Sequence, residues 1–208
     1  MFDAGALTFQ EFMMGESLPL ATLQQAVLEF LRGRDDAVVF GAQAVNAYVD
    51  EPRMTQDLDL LSPRAEALAQ ELRTYLRQRF HIAARIRQIG QGRGYRLFQV
   101  RKPRNRHLVD IKAVESLPAA QRLADVLVMA PAELIASKVQ AYYQRRGRPK
   151  PGTDWRDLAL LLLTFPELKR DPGPVRTCLQ AARAEPAVLA VWQELVTQEI
   201  QPEDEEEW

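Results

Sequence analysis

The sequence has very little cysteine and histidine: Cys178 is the single cysteine, and there are two histidines among 208 residues. One cysteine cannot form an internal disulfide, which agrees with a reducing compartment. Three such side chains are too few for a convincing zinc site. Any bound metal is therefore expected to be a hard cation held by oxygen ligands.

Long apolar runs are also missing. No stretch approaches the roughly 20 residues that span a bilayer, and the N-terminus lacks the basic-then-apolar order of a signal peptide. Charged residues make up 26% and hydrophobic residues 47% of the chain, as in ordinary globular proteins with a buried core. We therefore expect a cytoplasmic protein with no membrane partner.

Acidic residues are absent from one long segment. Residues 79–109 contain nine Lys or Arg and no Asp or Glu, although the net charge of the whole chain is −1. The basic region, residues 79–106, is either an arginine-rich solvent face or an electrostatic footprint for RNA or another polyanion. Residues 201–208 end in the acidic run EDEEE and Trp208, which predicts a solvated tail that could compete for the basic surface.

Hydrophobic periodicity divides the chain into an α+β half of about 120 residues and a helical half. Strands are predicted over residues 36–40, 57–61, 81–90, 95–102 and 107–114, with a loop from 115 to 130. Helices are predicted over residues 20–31, 42–49, 131–146, 154–165, 175–184 and 187–198, and one more begins with Ser62 as its N-cap and ends near Arg79. We expect domains at residues 1–120 and 121–200.

Three aspartates lie within predicted strands. The alternation in DLDLL places Asp57 and Asp59 on one face, about 6–7 Å apart, and Asp110 lies in the apolar stretch LVDIK. Converging carboxylates cost several kcal/mol unless cations neutralise them. Two Mg²⁺ ions would do so and could clamp the attacking and leaving oxygens of a phosphoryl displacement. Alternatively, these are ordinary acids at strand ends.

The segment VVFGAQAV precedes these acids and reads as strand, glycine and helix. A glycine turn lets the backbone approach a ligand, and N–H groups at a helix start favour phosphate. An ordinary strand-to-helix turn has the same pattern. The order of a phosphate-binding turn, a short helix and then two aspartates on one strand strengthens the functional interpretation.

The segment FGAQAVNAYVDEPRMTQDLDLL resembles the signature of the nucleotidyltransferase fold in the DNA polymerase beta superfamily, and is most similar to the AbiEii/AbiGii-type toxin branch. That branch has a Gly–Gly or Gly–Ser turn, a short helix and then Arg-x-Thr-x-Asp-x-Asp. The resemblance covers about residues 36–165. The positions that match the pattern are Gly41, Arg53, Thr55, Asp57, Asp59 and Asp110, with a looser match at Lys138, Arg156 and Asp157.

The resemblance implies a mixed β-sheet with flanking helices, followed by a helical C-terminal domain. It also implies that Asp57 and Asp59 hold Mg²⁺ on the triphosphate of an NTP. Asp110 would complete a second metal site and help to activate the attacking hydroxyl. Gly41 and Ala42 would cradle phosphate. Ala42 departs from the family's Gly or Ser and offers only its backbone N–H.

The remaining matched positions each allow two interpretations. Thr55 could orient the loop, and Arg53 could reach phosphate or pair with a carboxylate. Lys138 shares an apolar helix stripe with Leu134 and Tyr142, so it either snorkels to solvent or reaches the triphosphate.

Asp157 is a catalytic candidate as well. With Asp154 as the N-cap, however, it would occupy an ordinary capping position. Arg156 is held in reserve as a further candidate.

The function indicated is Mg²⁺-dependent transfer of a nucleoside monophosphate from an NTP to a hydroxyl. The resemblance favours tRNA as the acceptor and suggests the toxin of a type IV toxin–antitoxin system with a cognate antitoxin. Two alternatives remain open. One is nucleotidylation of a small molecule or a protein partner, and the other is a non-catalytic module that binds a nucleotide or a partner.

Overall fold

The computed structural model describes residues 18–146 and 151–201. The chain divides into two compact units. The first contains the chain up to Ala47 together with Pro52–Met129, and the second contains Tyr48–Glu51 together with the chain from Ala130 onward. The predicted acidic tail, apart from Gln201, lies outside the described residues.

The first unit is built around one mixed sheet. Its strand order is β3-β4-β5-β2-β1-β7-β6, and the β2–β5 and β1–β7 pairs are parallel while the others are antiparallel. The predicted α+β class with a mixed sheet is therefore confirmed. The described elements are α1 (Leu20–Leu31), β1 (Val38–Phe40), α2 (Gly41–Asn46), β2 (Leu58–Ser62), α3 (Ala65–Phe80), β3 (Ala84–Ile89), β4 (Gly94–Gln99), β5 (Arg106–Ala113), β6 (Ala120–Leu123) and β7 (Val126–Met129).

Apolar residues at helical and strand spacing form the core of this unit. In α3 the side chains of Leu68, Leu72 and Leu76 are fully buried, four residues apart, and the helix contacts β2 to β5. In β2 the alternating Leu58 and Leu60 are also fully buried. Because side chains alternate along a strand, the acids of this segment point away from these leucines.

The strand β5 contains a register shift that affects the site. Leu97 of β4 pairs with Val109, but the next residue of β4, Phe98, pairs with His107, so Leu108 is an extra residue in β5. Leu108 and Val109 are both buried. A bulge of this kind interrupts the alternation, and His107 therefore lies on the same face as Asp110.

The segment predicted as a loop after residue 114 instead forms the β6–β7 hairpin. Its two connecting residues, Ala124 and Asp125, have φ values of 46° and 66°. Two-residue hairpin turns with positive φ at both positions usually contain Asn-Gly or Asp-Gly. Because this turn has neither pair, its sequence gave no hairpin signal. The sheet thus continues beyond residue 120, the predicted end of the first domain.

The second unit is helical. Four α-helices are described in it, and α4 contacts each of the other three. No helix within the described part of the chain has both the length and the apolar character that crossing a bilayer requires. The elements are α4 (Pro131–Gln144), α5 (Pro151–Thr164), a 3₁₀ turn (Pro166–Leu168), α6 (Pro174–Ala181) and α7 (Pro186–Thr197).

Two predicted helix starts are wrong. Ser62 ends β2 and is not the N-cap of α3, which begins at Ala65; the Ser62 hydroxyl instead accepts a hydrogen bond of 3.0 Å from the Arg64 N–H. Helix α5 already begins at Pro151, so Asp154 lies inside the helix and is not its N-cap.

The turn between β6 and β7 gives a test of backbone strain. A left-handed backbone conformation costs a non-glycine residue about 1–2 kcal/mol, and glycine avoids this cost. Part of the resulting gain in stability is lost because glycine has more conformational freedom in the unfolded chain. We therefore expect Ala124→Gly to raise the free energy of unfolding by about 0.5 kcal/mol in urea denaturation. The same exchange at Ala120, inside β6, should lower it. A loss of stability with Ala124→Gly would contradict the strained turn.

Candidate active site

Carboxylates from two adjacent strands meet on one face of the sheet. Parallel pairing of β2 and β5 places Asp59 directly beside Asp110. Asp57 precedes β2 by one residue, and ligand atoms of Asp57, His107 and Asp110 all lie within 4.8 Å of one another. The register therefore brings the three predicted acids to the same region of the first unit.

His107 bridges two of these carboxylates. Its Nδ1 lies 3.0 Å from Asp57 Oδ2, and its Nε2 lies 2.8 Å from Asp110 Oδ1. Burial alone would lower the pKa of His107, but the hydrogen bonds to Asp110 and Asp57 outweigh it and raise the pKa to about 9. At neutral pH the ring is thus protonated and donates through both nitrogens.

Arg96 forms a bidentate ion pair with Asp110. Its Nε and Nη2 donate to Oδ1 and Oδ2 at 2.8 and 2.7 Å. Burial would raise the pKa of Asp110, whose side chain is 13% exposed, but hydrogen bonds from Arg96 and His107 hold that pKa well below its usual range. Asp110 therefore stays ionised.

Gly41 gives the Asp59 carboxylate its space. Its φ is +73°, and a Cβ built on it would overlap Asp59 Oδ2 and lie 3.1 Å from Asp59 Cβ. Phe40, the residue before it, pairs with Asp59 across β1 and β2. Ala42 follows as the second residue of α2. The Gly41 turn is thus packed directly against Asp59.

The loop between α2 and β2 is fixed by two side chains that the sequence did not single out. Asn46 Oδ1 accepts from the Arg53 N–H at 3.1 Å, and its Nδ2 donates to the Arg53 carbonyl at 2.7 Å. Gln24 of α1 donates to the Thr55 carbonyl at 3.0 Å and lies 3.3 Å from the Thr55 hydroxyl. These bonds hold the backbone that leads into Asp57.

In the second unit, Lys138 and Asp157 form a buried ion pair. Lys138 Nζ lies 2.6 Å from Asp157 Oδ2, and the two side chains are 8% and 0% exposed. Lys138 therefore does not snorkel to solvent. The capping interpretation of Asp157 is wrong because α5 begins at Pro151. Arg156, the reserve candidate, lies 3.5 Å from Glu51 at an exposed position.

Sequence reasoning missed His107 as a site residue and assigned Arg96 only to the basic region. Strict alternation along β5 puts His107 with Val109 and Ile111, which are buried, and opposite to Asp110. Only the extra residue Leu108 reverses this arrangement. Because alternation predicts the opposite arrangement, no local pattern in the sequence indicated that His107 meets Asp110.

The turn at Gly41 should not tolerate a side chain. We expect Gly41→Ala to lower the free energy of unfolding by about 1–3 kcal/mol, since the added Cβ combines a left-handed conformation with a clash against Asp59. Gly152→Ala is the matched control, because a Cβ at that helical position meets nothing within 4 Å. Equal effects of the two variants in thermal or urea unfolding would contradict the proposed packing.

The buried pair gives a second stability test. Lys138→Met leaves the Asp157 carboxylate buried without its cation and should cost about 3–5 kcal/mol in urea unfolding. Combining Lys138→Met with Asp157→Leu should recover part of that loss. Lys102→Met, at an exposed position, is the control and should change stability by less than about 0.5 kcal/mol. A double variant less stable than Lys138→Met alone would argue against the pairing.

Comparison with solved structures shows the fold. The chain is similar to the Megavirus polyadenylate synthase, with 14% identity and a TM-score of 0.58, over 73% of this chain and 32% of that one, so it spans about a third of that protein. It is also similar to JHP933 from Helicobacter pylori, with 14% identity and a TM-score of 0.53, over 92% and 90% of the two chains. The fold is that of the nucleotidyltransferases.

Sequence comparison then gives the family. No curated protein matches the chain. The family model described as "Nucleotidyl transferase AbiEii toxin, Type IV TA system" matches residues 25–208, most of the sequence. The predicted resemblance is thereby confirmed, and the chain belongs to the AbiEii family of nucleotidyltransferase toxins.

Proposed function

We propose that this nucleotidyltransferase moves a nucleoside monophosphate from an NTP to a hydroxyl of tRNA, depends on Mg²⁺, and acts as the toxin of a type IV toxin–antitoxin pair with a cognate antitoxin. The observation that carries the proposal is the packing of Asp59 between Gly41 and Asp110. A phosphate-binding turn and a carboxylate pair in direct contact are what metal-assisted phosphoryl transfer requires.

The donor set fits a hard divalent cation. Asp57, Asp59 and Asp110 supply carboxylate oxygens, the ligands that Mg²⁺ prefers. The site already concentrates negative charge, which His107 and Arg96 neutralise within the chain. Two bound ions would supply charge neutralisation for the triphosphate and for the developing oxyanion.

The reaction proposed is a displacement at the α-phosphorus. A bond forms from the acceptor oxygen to phosphorus, the bond to the bridging oxygen of the β-phosphate breaks, and pyrophosphate leaves with the electron pair. The hydroxyl proton is released to solvent. Asp110, which Arg96 and His107 keep ionised, is proposed to help activate the hydroxyl as a ligand that would complete the second metal site.

Nucleotide binding is assigned to the turn and loop of the first unit. The backbone of Gly41 and Ala42 is proposed to cradle phosphate, with Ala42 contributing its N–H alone. Arg53 is proposed to bind phosphate, and Thr55 to orient the loop; the hydrogen bonds of Asn46 to the Arg53 backbone and of Gln24 to Thr55 support these roles.

Lys138 and Asp157 are proposed as further catalytic residues. Burying an ammonium and a carboxylate together costs several kcal/mol of desolvation, and apolar residues of similar volume often replace such pairs without loss. Folding stability alone therefore gives a weak reason for the pair. A functional role for the Lys138 ammonium, oriented by Asp157 at 2.6 Å, is the interpretation we favour.

The acceptor assignment rests on charge and on the family description, which names a type IV toxin–antitoxin system. In the basic region, residues 79–106, some cations are used internally, as Arg96 with Asp110 and Arg106 with the Leu18 carbonyl. Arg85 and Arg87 of β3 are exposed. Exposed cations of this kind favour a polyanionic acceptor over a neutral small molecule.

The test is label transfer. The protein is incubated with each α-labelled NTP, Mg²⁺ and total tRNA, and labelled RNA is measured on a gel. We expect Asp59→Asn to reduce labelling by roughly 10²-fold or more, because it removes an ionic metal ligand. Asp50→Asn makes the same exchange at an exposed position and should leave labelling unchanged.

Other outcomes would contradict parts of the proposal. Label on a protein or an aminoglycoside instead of RNA would refute tRNA as the acceptor but would support nucleotidyl transfer as the reaction. Bound nucleotide without transfer to any acceptor would favour a non-catalytic module. Transfer that survives EDTA would refute the dependence on a divalent ion.

A further inference from the structure

A surface groove lies on the open face of β3, β4 and β5, next to the carboxylates. Its lining residues are Arg87, Arg96, Phe98, Asn105 and His107. Arg96 and His107 both hydrogen-bond to Asp110, so these two residues belong to the groove and to the candidate active site. The proposed nucleotide and metal contacts account for neither Phe98 nor Asn105.

Strand pairing sets the order of charges across this face. Arg87 pairs with Arg96, Arg96 with Asp110, and Asp110 with Asp59, and then Phe40 of β1 leads into the Gly41 turn. Directly paired residues share a face of a sheet. The carboxylates therefore lie between the Gly41 turn on one side and the groove on the other.

Arg87 leaves an uncompensated charge in the groove. It stands directly opposite Arg96, and like charges in that position repel each other. Arg96 is neutralised by Asp110, whereas Arg87 has no ion pair or side-chain hydrogen bond among residues 18–146 and 151–201. Among the described residues of the groove, Arg87 is therefore a cation that remains available to bind an anion.

Phe98 provides an apolar surface beside these cations. It lies between Arg85 and His107 in the pairing of β3, β4 and β5, and it is partly exposed. Asn105, exposed in the turn before β5, adds an amide that can both donate and accept. An aromatic ring flanked by arginines is the arrangement with which proteins bind single-stranded nucleic acid, by base stacking and phosphate pairing.

We propose that this groove, here called the acceptor groove, binds the single-stranded RNA end that carries the acceptor hydroxyl, with a base stacked on Phe98 and a phosphate at Arg87. The inference rests on the proposed function and adds the residues that position its acceptor. In-line displacement places the attacking and leaving oxygens on opposite sides of phosphorus. With the triphosphate at the Gly41 turn, the acceptor enters from the acceptor groove.

The test measures binding without catalysis. A fluorescein-labelled single-stranded RNA decamer is titrated with the full chain in EDTA, without NTP, and followed by anisotropy. Phe98→Ala should raise Kd about 5–100-fold through lost stacking, and Phe98→Trp should restore binding. Arg87→Ala should weaken binding and reduce the slope of log K against log salt by about one.

Arg77→Ala is the matched control, since Arg77 is exposed on α3. It should leave Kd within about twofold. Equal losses from Arg77→Ala and Arg87→Ala would reduce the effect to general charge attraction and overturn the proposal. A Phe98→Ala variant that binds RNA normally would also overturn it. Circular dichroism and unfolding curves confirm that each variant is folded.

Two further measurements separate this inference from the proposed reaction. In label transfer, Phe98→Ala should raise KM for tRNA and leave KM for the NTP unchanged. A raised KM for the NTP alone would assign the groove to the nucleotide and refute the acceptor role. If RNA binds the groove with the expected variant pattern but no label is transferred, the proposed reaction is refuted and the proposed RNA binding by the groove is supported.

Discussion

Repulsion between carboxylates on two neighbouring strands is the constraint on which the rest of the first unit depends. The parallel register of β2 and β5 sets Asp59 beside Asp110, and buried leucines on the other face fix that register. A shift by one residue would turn the acids into the core. The sheet therefore cannot pack its leucines without also assembling the acids.

The chain neutralises this charge with its own cations. His107 bridges Asp57 and Asp110, and the guanidinium of Arg96 forms a bidentate ion pair with Asp110. The same two cations line the acceptor groove. A divalent ion that binds the carboxylates would compete with these contacts, so metal binding would change the charge of the groove through Asp110.

The two units carry charge in different ways. In the first, the acids lie on an open face and their cations are partly exposed, Arg96 to 43%. In the second, Lys138 and Asp157 are almost completely buried against each other. Ion pairs with a partly exposed member can exchange partners when a ligand binds, whereas an ion pair buried away from water keeps its geometry. The first arrangement suits binding, and the second suits rigid positioning.

The sequence by itself determined most of the helices and strands and the residue types of the site. Helix α1 matches its prediction at both ends, because its apolar spacing and the following glycine are local signals. The Gly41 turn and the position of Asp59 in β2 were likewise predictable from local patterns, whereas Asp57 lies one residue before the strand in which it was predicted. Their catalytic roles stay predictions.

Only the tertiary structure decided which residues meet those acids. The bulge at Leu108 turns His107 toward Asp110, and the pairing of β4 with β5 converts Arg96 from a surface charge into a partner of that acid. The β6–β7 hairpin was missed because its turn lacks the usual residues. Each of these depends on pairing between distant segments, whereas periodicity in a sequence reports only on neighbours along the chain.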